Sequence, residues 1–203
     1  MKKWNVFYVL LVVVLGIMIF KTSGMKEPKQ DETVLKVKAV LENIAERKSV
    51  RSYQDKNVEE EKIEAMVKAG MAAPSGMDRR PWEFVVVTER AILDSMATKL
   101  PYAKMLAKAP LAIVVCGDST RSSYWYVDCS AATQNVLLAA EALGLGAVWT
   151  AAYPYEDRID AVRQYTGLPE NIVPLCVIPI GYPDGPQKAK DKFDPMRIHR
   201  NKY

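Results

Sequence analysis

The chain has 203 residues, 49% of them hydrophobic, with 28 Lys and Arg against 24 Asp and Glu for a net charge of +4. This length and apolar content allow one globular domain with a sizeable core. Part of the basic excess sits at Lys2, Lys3, Lys21, Lys26 and Lys29, so the remainder is only mildly basic and a nucleic-acid partner is not suggested.

Lys2 and Lys3 precede a nearly unbroken apolar run from Val6 to Phe20, with Lys21 behind it. About fifteen apolar residues match the apolar segment of an export signal and fall short of the roughly 20 that span a bilayer unaided. Residues 1–21 are therefore expected to be a signal peptide or an N-terminal membrane anchor, with residues 4–20 in the bilayer. No A-x-A pattern stands at Thr22-Ser23-Gly24 and no Cys follows the run, so both readings remain. They imply an exported protein, periplasmic or membrane-anchored, although Lys21, Lys26 and Lys29 leave a cytoplasm-facing anchor compatible with the positive-inside rule. Polar residues 22–33, with Gly24 and Pro28, read as a tether, and residues 34–203 as the folded domain.

In residues 33–47, Val34, Val37, Val40, Leu41 and Ile44 recur at helical spacing. The expected helix runs into Arg47-Lys48-Ser49-Val50-Arg51-Ser52-Tyr53. Planar Arg forks, a lysine and hydroxyls are the donor set that a phosphate monoester requires. The plainer reading is of cations closing a helix against its dipole. Asn57 is the expected cap of a second helix, with Glu59, Glu60 and Glu61 in its first turn and Ile63, Met66, Val67 and Met71 on its buried face, ended by Pro74. A loop between Pro74 and Pro81 carries Asp78, Arg79 and Arg80.

Residues 83–87 read as a strand, and Thr88 as the cap of a helix over 89–100. A second strand is expected over 111–116. The helix expected over 123–143 is apolar most of the way round, so it must be covered on several sides by its own domain or by a second subunit. Gly144 and Gly146 stop it, a strand follows over 147–150, and a helix over 155–165 ends at Gly167. The last strand is expected over 173–181, before a tail rich in Pro, Lys and Asp. Short strands and helices interleave without the even rhythm of a doubly wound sheet, which predicts an α+β fold with a mixed sheet between helical layers. Cys116, Cys129 and Cys176 are scattered in apolar segments and read as buried thiols.

Gly144-Leu145-Gly146 opens like a dinucleotide fingerprint, but Trp149 occupies the third glycine position and a helix precedes it. No G-x-x-x-x-G-K or G-x-S-x-G occurs, and His199 is the single histidine. These absences argue against nucleotide hydrolysis, a hydrolytic triad and a metal centre. Side chains offering so little chemistry of their own point to a cofactor that carries the reaction.

Two motifs combine here. Arg47-Lys48-Ser49-Val50-Arg51-Ser52-Tyr53 resembles the R-R-S-V-R-x-F opening of the nitroreductase family of FMN-dependent oxidoreductases. The segment Ala73-Pro74-Ser75-Gly76-Met77-Asp78-Arg79-Arg80-Pro81-Trp82-Glu83-Phe84-Val85-Val86-Val87 is similar to that family's A-P-S-x-x-N-x-Q-P-W-x-F-V-V-V. The long apolar helix into Gly144-Leu145-Gly146-Ala147-Val148-Trp149-Thr150 and the tail Arg197-Ile198-His199-x-Asn201-Lys202 match as well.

The resemblance, covering residues 34–203, implies a three-layer arrangement with a mixed, mostly antiparallel sheet between helices, in an intertwined homodimer with FMN at the interface. Arg47, Lys48, Ser49 and Arg51 would grip the phosphate and ribityl chain, completed by Lys190 and Lys192. Asp78 would face the pyrimidine edge of the flavin, or pair with an arginine in solvent. Backbone at Thr150, Ala151 and Ala152 would approach flavin N5, and Pro74, Ser75 and Gly76 would reach the partner's flavin. Electrons would pass from NAD(P)H or another donor to a nitroaromatic, quinone or similar small aromatic acceptor, with no side-chain acid or base. Alternatives on the same fold are reductive dehalogenation and a flavin-binding protein with little turnover. Tyr102, Tyr124, Trp125 and Tyr126 are candidates for an acceptor lid. The chain departs from the family pattern at Asp78 and Arg80, where Asn and Gln are usual.

Overall fold

The computed structural model describes residues 32–203. The expected leader or anchor in residues 1–21 and nearly all of the expected tether lie outside them. Among the described residues no helix is long and apolar enough to cross a membrane. Residues 41–203 form one compact unit, whose boundary falls inside the first described helix.

That helix, α1 (Glu32–Glu46), has no buried residue. There follow α2 (Glu60–Met71), β1 (Trp82–Val87), α3 (Arg90–Lys99), β2 (Leu111–Asp118) and α4 (Trp125–Ala142). Two short strands, β3 (Gly146–Ala147) and β4 (Thr150–Ala151), precede α5 (Glu156–Thr166) and β5 (Ile172–Gly181).

The sheet is ordered β1-β2-β5-β3, with β4 also on β5, and every ladder between named strands is antiparallel. β2 and β5 are buried on both faces, which is why they read as continuous apolar runs instead of alternating ones. On β2, Leu111, Ile113 and Val115 pack with α2 and α4, while Ala112, Val114 and Cys116 join the core formed with α3 and α5. Helices thus cover the sheet on two sides, as the α+β reading expects.

Four local expectations are corrected. α2 begins three residues after Asn57, behind Glu59 in extended conformation, because the Glu59 carboxylate accepts the Tyr182 hydroxyl and ties this turn to the end of β5. Thr88 caps nothing: Glu89 holds the cap position of α3 without a side-chain bond. The strand expected over 147–150 is two pieces, interrupted at residues 148–149, although both keep one register against β5. Met71, expected on the buried face of α2, is exposed, whereas Ile63 and Met66 are buried as expected.

Gly146 shows how tightly the sheet edge is filled. A Cβ there would lie 2.6 Å from Val50 Cβ and Cγ1, and Val50 is fully buried. Gly146→Ala should therefore lower unfolding stability by about 1–3 kcal/mol through overpacking, read from the urea midpoint. The thiols behave as a second reporter. All three are buried, and burial pushes Cys129 and Cys176 up to about 12 and Cys116 higher still. A raised thiol stabilises the fold fully below the ordinary thiol pKa of about 8.5 and progressively less as pH climbs toward the folded value. The melting temperature should fall above about pH 8.5, and a thiol reagent at neutral pH should label the cysteines only in denaturant.

Candidate functional site

The chain leaving α1 is pinned before it reaches α2. Val50 N–H donates to the Ala147 carbonyl at 3.0 Å, and Ser49 bridges Ala147 in parallel fashion. Four residues on, Gln54 N–H donates to Tyr182 O (2.9 Å) and Asp184 N–H donates back to Ser52 O (3.0 Å). The Tyr53 hydroxyl, buried, shares its proton between the carbonyls of Val50 (2.7 Å) and Pro179 (3.0 Å). Burial raises the Tyr53 phenol well above its ordinary range, so it stays a donor.

This pairing turns the chain after β5 back along residues 49–54. As a result Arg47, Lys48, Ser49 and Arg51 line one cavity of about 210 Å³ together with Lys188, Lys190 and Lys192. The expected phosphate-binding residues are thus brought together from segments some 140 positions apart. Lys188 was missed by the sequence reading. Its signal was available: Lys188, Lys190 and Lys192 alternate, and every second residue of an extended chain lies on one side.

Not all these charges are equivalent. Lys48 Nζ is held by Glu141 Oε1 at 2.5 Å, in a half-buried pair that fastens the segment to α4. Among the described residues, Arg47, Arg51, Lys188, Lys190 and Lys192 form no ion pair. A second cavity of about 700 Å³ shares Arg47, Lys190 and Lys192 with the first and continues along Ile44, Ala45 and Gln134. Thr150, Ala151 and Ala152 follow on the same β5 edge, about 10 Å beyond Ala147 at the strand rise. The Thr150 hydroxyl is committed to Val177 O at 2.6 Å, Ala152 N–H donates to Leu175 O at 3.0 Å, and of the three residues Ala151 is the exposed one.

Pro74, Ser75, Gly76 and Asp78 form a separate cluster. Gly76 N–H donates to Asp128 Oδ1 on α4 at 3.0 Å, and Arg80 N–H to Ser75 Oγ at 3.0 Å. Met77, Asp78 and Arg80 all have positive φ, of 55°, 53° and 47°. Three left-handed non-glycine residues in four positions are costly, and persist only where the surroundings dictate them. Asp78 receives Arg80 in a bidentate pair (2.6 and 2.7 Å) with its side chain 72% exposed, so in the single chain the solvent-paired arrangement holds. The hydrogen bond from Arg80 lowers the Asp78 carboxyl below its usual range. Of the expected lid aromatics, Trp125 is core, packed edge-on against Tyr153, while Tyr102, Tyr124 and Tyr126 are exposed. Tyr102 lies against the Arg158 guanidinium.

The chain matches the nitroreductase family model over residues 44–101 and 94–182. It is 48% identical over 167 residues to a protein of Methanothermobacter thermautotrophicus provisionally named an NADH dehydrogenase/NAD(P)H nitroreductase, covering 81% of this chain and 87% of that one. A solved structure from Bacteroides thetaiotaomicron, under the same provisional name, superposes with a TM-score of 0.81 at 68% identity, over 81% of this chain and 98% of its own. An FMN-dependent nitroreductase of Clostridium difficile superposes with a TM-score of 0.77 at 31% identity, over 80% and 99%.

The Tyr53 hydroxyl is the pin that can be removed most cleanly. Tyr53→Phe keeps the ring and leaves two carbonyls without their donor, so unfolding stability should drop by about 1–3 kcal/mol, measured by urea denaturation.

Proposed function

Because the chain belongs to the nitroreductase family of oxidoreductases, we propose that it is FMN-dependent and moves electrons from NAD(P)H to a small nitroaromatic, quinone or similar acceptor. One observation carries this: five cations with no ion-pair partner among the described residues, from two distant segments, converge with Ser49 on one cavity. Concentrating like charge is unfavourable unless an anion compensates it, and planar Arg forks suit phosphate oxygens. The donor set fits the phosphate of FMN, and the adjoining cavity falls in the usual range of about 300–1,000 Å³ for small-molecule sites.

In this reading Arg47, Ser49 and Arg51 hold the phosphate from one side and Lys188, Lys190 and Lys192 from the other. Lys48, neutralised by Glu141, positions the segment and adds little field of its own. Backbone at Thr150, Ala151 and Ala152 would border the flavin ring. Bound FMN supplies a reversible two-electron centre. The protein's part is to bind, orient and shield, which accords with the scarcity of acid–base side chains.

The reading also includes a homodimer. Leu41 and Ile44 on α1, Val127 on α4, and Phe193, Met196 and Ile198 in the tail are large apolar side chains left exposed in the single chain. So many on one chain are expected where a second copy covers them. Pro74, Ser75 and Gly76, which line neither of the two cavities described around Arg47, would then serve the partner's cofactor. An exported or membrane-anchored location, set by residues 1–21, remains part of the proposal.

The purified protein should be yellow and should bleach under NADH or NADPH. Arg47→Ala should weaken FMN binding roughly ten- to hundredfold, the effect of losing one charge-assisted contact, seen as loss of flavin absorbance on dilution and ultrafiltration. A colourless wild-type chain that ignores added FMN would overturn the proposal.

A further inference from the structure

A further basic cavity, of about 330 Å³, is bordered by Gly76, Met77 and Arg79 of the 74–80 loop and shares no residue with the cation cluster around Arg47. Arg79 and Arg121 line it with the hydroxyls of Thr120, Ser122 and Ser123, and no acidic residue does. The two arginines each brace the other's loop through a backbone carbonyl. Arg79 Nη1 donates to Arg121 O and Arg121 Nη1 to Arg80 O, each at 3.3 Å. One nitrogen of each guanidinium is thereby fixed, while the remaining N–H groups of both forks have no partner among the described residues.

Of the neighbouring acids, Asp128 accepts Gly76 N–H at one oxygen and keeps a second, buried oxygen without a partner among the described residues, while the other two are engaged. Asp78 is held by Arg80 through both oxygens. Asp118 accepts the Thr120 hydroxyl and N–H, the main reason its carboxyl is lowered, with Arg121 the smallest contribution. Ser122 is 7% exposed, and its Oγ accepts from Tyr124 N–H, which leaves its own proton to donate into the cavity. The exposed Tyr124 ring flanks the same opening, within 3.7 Å of where a Cβ on Gly76 would stand. Two oriented guanidiniums, a nearly buried hydroxyl donor and an aromatic flank form a site for an anionic oxygen group attached to a flat ring system or its linker.

We propose that the cavity between Arg79 and Arg121 is a specificity subsite for a carboxylate or phosphate carried by one of the two reactants. The identity of the reactants rests on the flavin reading above; the cavity and its donors do not. Gly76 and Arg79 belong to the loop assigned to the partner's cofactor, so a reactant reaching that ring would set its charged group between the arginines. Two sources share this chemistry: the ribose phosphate that distinguishes NADPH from NADH, and a carboxylate on the acceptor.

The test uses the full-length, FMN-loaded protein and its Arg121→Gln and Arg79→Gln variants, with NADPH against NADH and 4-nitrobenzoate against nitrobenzene. The ratio of kcat/KM for the member bearing the extra anionic group to that for the member lacking it should fall roughly ten- to hundredfold in one pair. A fall in the nicotinamide pair assigns the subsite to the donor phosphate, and a fall in the nitroaromatic pair to the acceptor carboxylate. Ratios that stay at the wild-type value in both pairs overturn the proposal. If the wild-type chain proves colourless and inactive, the flavin reading fails separately. Isothermal titration of benzoate against benzamide then decides: benzoate binding that Arg121→Gln abolishes supports the subsite, and no difference between the two ligands sinks it.

Discussion

The pairing of residues 49–54 with β3 and with the chain leaving β5 is the constraint on which the cation cluster depends. Three cations after a helix would otherwise sample solvent independently. Val50, fully buried against Gly146, and Tyr53, donating to two carbonyls, fix the backbone between them. Side chains at residues 47, 49 and 51 then project from a backbone with little freedom left, so less entropy is lost when they close on an anion. The same ladder carries the returning chain past them, and three alternating lysines arrive without any secondary structure of their own.

α4 is the second determinant. It contributes Ala132, Val136 and Ala140 to the core beneath the sheet, and its two carboxylates fall where two loops are anchored. Asp128 takes the Gly76 N–H near one end, and Glu141 takes Lys48 near the other. Asp128 is nearly buried and its second oxygen has no partner, so this anchor carries a desolvation cost. An orphaned carboxylate oxygen and three left-handed residues in the loop it holds are both conformational or desolvation costs, so this part of the chain is not arranged for stability alone.

Much of this was legible beforehand, for identifiable reasons. The two-sided burial of β2 and β5 follows from continuous apolar runs, whereas the donors at Arg47, Ser49 and Arg51 by themselves left a phosphate site and a cationic helix end equally open, and only the downstream motif favoured the former. What could not be read was partnership. Nothing in the spacing says that Lys48 is neutralised by a residue 93 positions away, or that Glu59 is drawn from capping duty by the Tyr182 hydroxyl. Trp125 looked like a lid residue because its neighbours are aromatic, yet Gly117 opposite it gives the indole room in the core, where a Cβ would meet the ring at 2.6 Å. The Arg79–Arg121 brace joins two loops through long side chains to backbone, a contact with no periodic signature.

The geometry of α4 also bears on how many chains one site requires. Asp128 and Glu141 are thirteen residues apart on one helix, about 20 Å at the helical rise. The loop around Gly76 and the cation segment at Lys48 are each bonded to one of these carboxylates, so a rigid rod separates them. No hinge lies between, since α4 is continuous and buried along Cys129, Ala132, Val136 and Ala140. A single small ligand seated among Arg47 and Lys190 therefore leaves the strained loop of its own chain with nothing to do. In the proposed homodimer that loop would meet the cofactor of a second copy, approaching through the apolar side chains left open on α1, α4 and the tail, which would give its conformational cost a purpose.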